Sequence, residues 1–227
     1  MIYENIRRIF IYLIADDFSE LFLFFVALFC GWPLPLLPMQ ILWINVIEDS
    51  FPNIALTTEY DSTNLMNEPP RNPKAPIITK TYKMFMLLVF CVSGLSAVLI
   101  FWLINTYCSD VALARTATFT LIAFDSIAFV FTIRNLRRYT LRKDMFSNRF
   151  VNASVVFSLV LLLVGLYVPF FAHYLGTVPL GWDTWTIIVC ITIIEMGIFE
   201  YAKKRFFITK STKSAVDVRN VPHGTQA

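Results

Sequence analysis

Acidic residues stand inside the apolar stretches of this 227-residue chain, among them Asp17, Glu20, Glu48, Asp49, Asp125 and Glu195. A carboxylate in the middle of a bilayer costs roughly 2.5–3.5 kcal/mol on insertion scales, so several on converging helices mark a cation pathway. Asp17 and Glu20 are i and i+3 and share a helix face; Asn45, Glu48 and Asp49 are i, i+3 and i+4 and share another. Oxygen ligands of this kind suit hard cations such as Ca²⁺, Mn²⁺ or Na⁺, and carboxyls also carry protons. Buried groups of like charge cannot all be ionised, so cation binding is expected to release protons.

The elements that position these acids are membrane spans. The chain is 57% hydrophobic and 15% charged, with 22 Phe, against about 25% charged residues in an average soluble domain. Six apolar runs, about 9–30, 36–56, 84–106, 111–133, 152–172 and 184–202, are each long enough to cross a hydrocarbon core of roughly 30 Å. The expected fold is an all-α membrane protein, a six-transmembrane-helix bundle over 1–206 with a polar cytoplasmic tail at 207–227. The second helix is expected to be broken by proline. Pro52 lacks an N–H and its ring collides with the carbonyl of Glu48, and carbonyls freed in this way can line an ion site.

Asp17 lies eight residues inside Ile9, Asp49 seven from Leu56 and Asp125 eight from Ile133. At about 1.5 Å per residue, each stands roughly 10–12 Å from the same membrane edge. Glu195 has a similar depth but no acidic neighbour in sequence, and reads as structural. Glu200 precedes Lys203 and Lys204 at i+3 and i+4, which reads as an interfacial ion pair. Ser93-Gly94 and Ser96-Ala97 offer small surfaces for close helix approach.

With six spans, 18 of the 19 basic residues fall on one side and only Arg115 on the other. The positive-inside rule makes that side, with both termini, cytoplasmic. The protein is therefore expected to be a multi-pass integral membrane protein, in the plasma membrane if prokaryotic. Its partner is the lipid bilayer, and the net charge of +3 gives no reason to invoke nucleic acid. The first run, carrying Asp16, Asp17 and Glu20, lacks the features of a signal peptide. The four cysteines show no metal or redox spacing. The cytoplasmic loop at 57–79 holds Pro69, Pro70, Pro73 and Pro76, which forbid a regular helix there.

The run Pro35-Leu-Leu-Pro-Met-Gln-Ile-Leu-Trp-Ile-Asn-Val-Ile-Glu-Asp-Ser-Phe-Pro-Asn-Ile-Ala-Leu56 resembles the sixth membrane helix of P-type cation-transporting ATPases, especially the calcium-pump branch. Leu65-Met-Asn-Glu-Pro-Pro-Arg-Asn-Pro-Lys-Ala-Pro76 resembles the loop that follows it, and Ile2-Tyr-Glu-Asn-Ile-Arg-Arg8 the stalk of the fifth helix. The resemblance covers roughly residues 1–206 and implies the family's carboxy-terminal membrane domain, from the fifth to the tenth membrane helix.

That resemblance implies cation-binding roles for Asp17, Glu20, Asn45, Glu48, Asp49 and Asp125, with Glu20, Asn45 and Asp49 as ligands of the transported metal. Asp17 stands where calcium pumps commonly have Asn, Glu48 where they have Thr, and Ser50 where they have Gly. Ca²⁺ is the cation implied first, with Mn²⁺, Na⁺ or H⁺ as alternatives. The family's Asp-Lys-Thr-Gly-Thr phosphorylation motif, Thr-Gly-Glu-Ser actuator loop and Gly-Asp-Gly hinge do not occur in this sequence. The chain is therefore expected to carry no cofactor and no ATPase activity alone. Mg-ATP would bind the missing domains, which a separate chain with the first four membrane helices would supply. The alternative is a stand-alone cation-binding or pump-accessory membrane protein.

Overall fold

The structure, a computed structural model, describes residues 2–48, 50–58, 78–134, 136, 140 and 146–208, and among these every regular element is helical. Helix α1 (Ile2–Phe29) runs without a break from the polar start of the chain into the first apolar run. It ends where Gly31 takes φ +66°, with Trp32 N–H donating to Ala27 O at 2.8 Å and Gly31 N–H to Leu28 O at 3.2 Å. This is a Schellman termination, and only glycine enters it without strain.

Next come α2 (Pro38–Trp43), a π-helical turn (Ile44–Glu48) and α3 (Ser50–Thr57). The second expected span is thus divided, but not in the expected way. The irregular geometry sits at Ile44–Glu48, ahead of the proline. Pro52 lies in the first turn of α3, where its missing N–H removes little.

Helices α4 (Lys80–Tyr107), α5 (Val111–Arg134), α6 (Arg149–Tyr167), α7 (Pro169–Leu175) and α8 (Trp182–Lys203) follow, and a second π-helical turn (Lys204–Ile208) ends the described chain. The expected span at 152–172 is interrupted at Val168, held at φ −81°, ψ 118°. Pro169 disfavours the helical region for the residue before it and then serves as the first residue of α7.

Among the described residues, four helices are long and apolar enough to cross a membrane: α4, α5, α6 and the run Trp182–Phe207. The six expected spans are therefore not reproduced element for element. Helix α1 has 28 residues, but Asp16, Asp17 and Glu20 interrupt its apolar run, and the second segment is made of short pieces. The proline-rich loop and the polar tail fall almost wholly outside the described residues.

Helix α5 is the axis of the bundle. Residues 116–123 are buried on every side, and α1, α3, α4, α6 and α8 all contact it. A helix covered all round is a core helix, which is why its apolar pattern has no preferred face. Two apolar cores stack along it. One includes Leu23, Ile44, Ala97, Ile100, Ile122, Leu162 and Ile188; the other includes Ile11, Tyr12, Leu56, Phe85, Val89, Phe129 and Phe199.

Helices α1 and α4 pack closely at Gly94. A Cβ built on Gly94 would lie 2.9 Å from Phe22 Cδ1 and 3.6 Å from the Ser19 Cα. Gly94→Leu is expected to force the two helices apart and to lower stability by about 1–3 kcal/mol, the usual cost of overpacking. Thermal unfolding in detergent checks this, and Phe22→Ala in the same chain should recover part of the loss.

Candidate functional site

Each of the long helices α1, α4, α5 and α8 passes from one apolar core to the other through a short polar stretch. On α1 it is Ser19 and Glu20, between Ala15 and Leu23; on α4, Ser93 and Gly94, between Val89 and Ala97. On α5 it is Asp125 and Ser126, between Ala123 and Ile127 at the edge of the first core and just before Phe129 of the second; on α8, Thr192 and Glu195, between Ile188 and Phe199. Asn45 and the rest of the π-helical turn leave the first core at Ile44, and the chain re-enters the second at Ala55. A polar layer therefore crosses the bundle at one level, where local sequence would have favoured apolar residues.

Within it the expected residues take different stations. Glu20 is 7% exposed and Asp125 6%, so both turn into the bundle. Asp17 is exposed, on a side of α1 that no described residue covers. Its neighbours on that stripe, Phe10, Leu21 and Leu28, are exposed too. Asn45 is half-buried, with Nδ2 donating to Ile41 O at 3.1 Å, one turn back along its own helix. Of Glu48 only the backbone is described, in the π-helical turn, and Asp49 lies outside the described residues. Among the described residues no three His, Cys, Asp or Glu side chains come close enough together to hold a metal.

Asp125 is held by Ser93, whose Oγ donates to its Oδ2 at 2.9 Å from α4, and Glu195 of the contacting helix α8 stands close to it. From its isolation among the layer of acids Glu195 reads as structural; the fold gives it Asp125 as a neighbour. The signal was its depth, equal to that of the other acids, and it could not name the partner. Next to Asp125, the Ser126 Oγ hydrogen-bonds the Tyr12 hydroxyl, and Tyr12 stacks on Phe129 at 5.9 Å, which fixes α1 to α5 one level below the acids.

The basic end of the bundle is closed by ion pairs. Lys203 is fully buried and donates to Glu200 Oε1 at 2.7 Å, Thr140 Oγ1 at 2.8 Å and Thr132 O at 3.2 Å; Thr140 also hydrogen-bonds Glu200. The ion pair expected from the spacing is there with Lys203. Arg7 pairs with Glu4 at 2.9 Å and lies over the Tyr82 ring, 4.5 Å from its centre.

A family model described as "Cation transporting ATPase, C-terminus" matches residues 33–205. The chain is 27% identical over 194 residues to a calcium-transporting ATPase of Bacillus subtilis, a stretch that covers 85% of this chain and 22% of that protein. It is 24% identical over 218 residues to calcium-transporting ATPase 1 of Bacillus cereus, covering 89% of this chain and 24% of that one. To the cation-transporting ATPase pma1 of Synechocystis it is 28% identical over 196 residues, covering 82% and 21% respectively. The chain thus spans between a fifth and a quarter of the length of these relatives.

Proposed function

The chain belongs to the family of cation-transporting ATPase C-terminal domains, and from that premise we propose that it supplies the intramembrane cation ligands of such a pump. Glu20, Asn45 and Asp49 ligate the transported ion, with Asp17, Glu48 and Asp125 contributing carboxylates around it. Ca²⁺ is the first candidate, because two of the relatives bear the name calcium-transporting ATPase.

The observation that carries this reading is the division of labour on α1. Glu20 is turned into the polar layer, while Asp17, one turn earlier, faces away from the described bundle. An uncovered carboxylate at this depth costs roughly 2.5–3.5 kcal/mol, which further helices packed on that stripe would offset. The six-span count and the cytoplasmic placement of both termini belong to this proposal. So does the partner: a polypeptide with the catalytic domains and the first four membrane helices would cover Asp17 and provide ATP drive.

The test is co-expression of the chain with such a polypeptide, followed by ATP-dependent uptake of radioactive Ca²⁺ into inverted membrane vesicles. Uptake that needs both chains and is lost with Glu20→Gln supports the proposal. Saturable Ca²⁺ or Mn²⁺ binding by the chain alone, without uptake in the pair, would favour a stand-alone cation-binding protein. Neither binding nor uptake would end both readings.

A further inference from the structure

Helices α6 and α8 both pack against α5 and leave a groove of about 590 Å³ between them. Leu159, Leu163 and Tyr167, at i, i+4 and i+8 along α6, form one wall. Trp182 and Trp185 of α8 form the other, with the buried Leu180 between. The α6 wall is about 12 Å long. The groove opens at the end of the bundle opposite the Lys203–Glu200 ion pair, where α6 ends and α8 begins.

An interfacial tryptophan belt accounts for Trp182, which is 88% exposed, but not for Trp185. The Trp185 ring turns back onto the bundle and meets Phe124 edge-on at 6.2 Å. Its Nε1–H donates to the Tyr167 hydroxyl at 2.7 Å, a bond that spans the mouth of the groove and sets the spacing of its two walls.

The polar groups at the mouth have complementary characters. The Tyr167 oxygen accepts from Trp185 and keeps its own hydrogen to give, and the Trp182 indole N–H can only donate. Asp183, exposed in the first turn of α8, adds a negative charge beside them. Residues 159–182 contain no Lys or Arg, and the one histidine there, His173, packs its ring on Tyr174. Arg115, the basic residue at this end of α5, donates to Leu34 O at 2.7 Å.

Two donors suit the oxygens of a phosphate, and a carboxylate next to an open indole face suits an ammonium group. The apolar walls suit a hydrocarbon chain. An anionic headgroup would meet Asp183 with no compensating cation, and a choline group has no N–H to give the carboxylate.

We propose that the α6–α8 groove is a binding site for one phosphatidylethanolamine molecule. An acyl chain lies along Leu159 and Leu163, the phosphate takes the Tyr167 and Trp182 donors, and the ammonium takes Asp183. The site needs only the membrane setting and does not depend on the cation ligands or on which ion they bind.

The test is native mass spectrometry of the full chain in detergent, given an equimolar mixture of phosphatidylethanolamine, phosphatidylcholine and phosphatidylglycerol with identical acyl chains. Circular dichroism checks the helicity of every variant. The expected result is one retained phosphatidylethanolamine, in about fivefold excess over either other lipid, the scale of one exposed ion pair. Asp183→Asn, an exposed change, should bring the three lipids close to parity. Leu163→Trp or, should that variant fold poorly, Leu159→Phe should fill the groove and remove the bound lipid. Glu20→Gln should leave retention unchanged, so failure of this proposal and failure of the transport reading are separate results. Equal retention of the three lipids by the unmodified chain would overturn the proposal, as would a preference that survives Asp183→Asn or a lipid that survives a filled groove. Displacement by glycerophosphoethanolamine, which has the headgroup and no chains, would overturn it too, by assigning the site to a soluble ligand.

Discussion

Replacing Glu20 by Gln is expected to weaken Ca²⁺ or Mn²⁺ binding by the assembled pump at least tenfold, about 1.4 kcal/mol, while leaving the fold intact. Glu20 is the buried acid of α1, and its side chain enters the polar layer from the helix that the family resemblance marks as ligand-bearing. Gln keeps the shape and one carbonyl oxygen but removes the charge that a hard cation requires. Asp17→Asn should behave differently in the two settings. In the chain alone, where Asp17 is exposed, it should change binding little and raise stability, because it removes a bare membrane carboxylate. In the assembled pump it should weaken binding. Equilibrium binding of radioactive Ca²⁺ with and without the partner polypeptide reads both effects. Unchanged affinity in a folded Glu20→Gln protein would remove α1 from the cation site.

The largest stability effect is expected at the other end of the bundle. Lys203→Ala should lower the unfolding free energy by roughly 3–5 kcal/mol, the usual cost of breaking a buried ion pair by deleting one partner. Lys203 is wholly buried, and its ammonium ties α8 to the end of α5 and to Thr140. Deleting it leaves Glu200 facing Thr140 with its countercharge gone. Lys203→Met, which keeps the length of the side chain and avoids a cavity, should recover part of the packing but not the ion pair. Thermal unfolding of the purified chain in detergent, with Glu200→Gln and the double Lys203→Met/Glu200→Gln variant, completes the cycle. If the double variant is as stable as the unmodified chain, the pair contributes no net stability, which buried pairs often do not.

The apolar runs announced the helices well where nothing interrupts them. The expected spans at 84–106, 111–133 and 184–202 match α4 (Lys80–Tyr107), α5 (Val111–Arg134) and α8 (Trp182–Lys203). They failed where one residue redirects the chain. Pro169 splits the fifth run at Val168, because a proline restricts the residue before it as well as itself. At the second run the sequence named Pro52 as the cause of a break, and the irregular turn lies ahead of it, at Ile44–Glu48. The Ser93-Gly94 pair was readable as a close-contact surface, since only a residue without a Cβ lets Phe22 sit where it does.

Length, composition and motif spelling settled the all-helical class, the membrane setting and the kinship with cation pumps, because each depends on residues close together in the chain. The depth of the acids was also local, a count of residues from the end of an apolar run. Helix rotation was not. A helix bordered by lipid on one side and apolar core on the other shows no polar face to orient it, so the sequence could not say that Glu20 turns inward and Asp17 outward. Nor could it tell that Glu195, 70 residues after Asp125, would stand beside it. That meeting is decided by which helices surround α5 and at what register, and only the packed bundle fixes both.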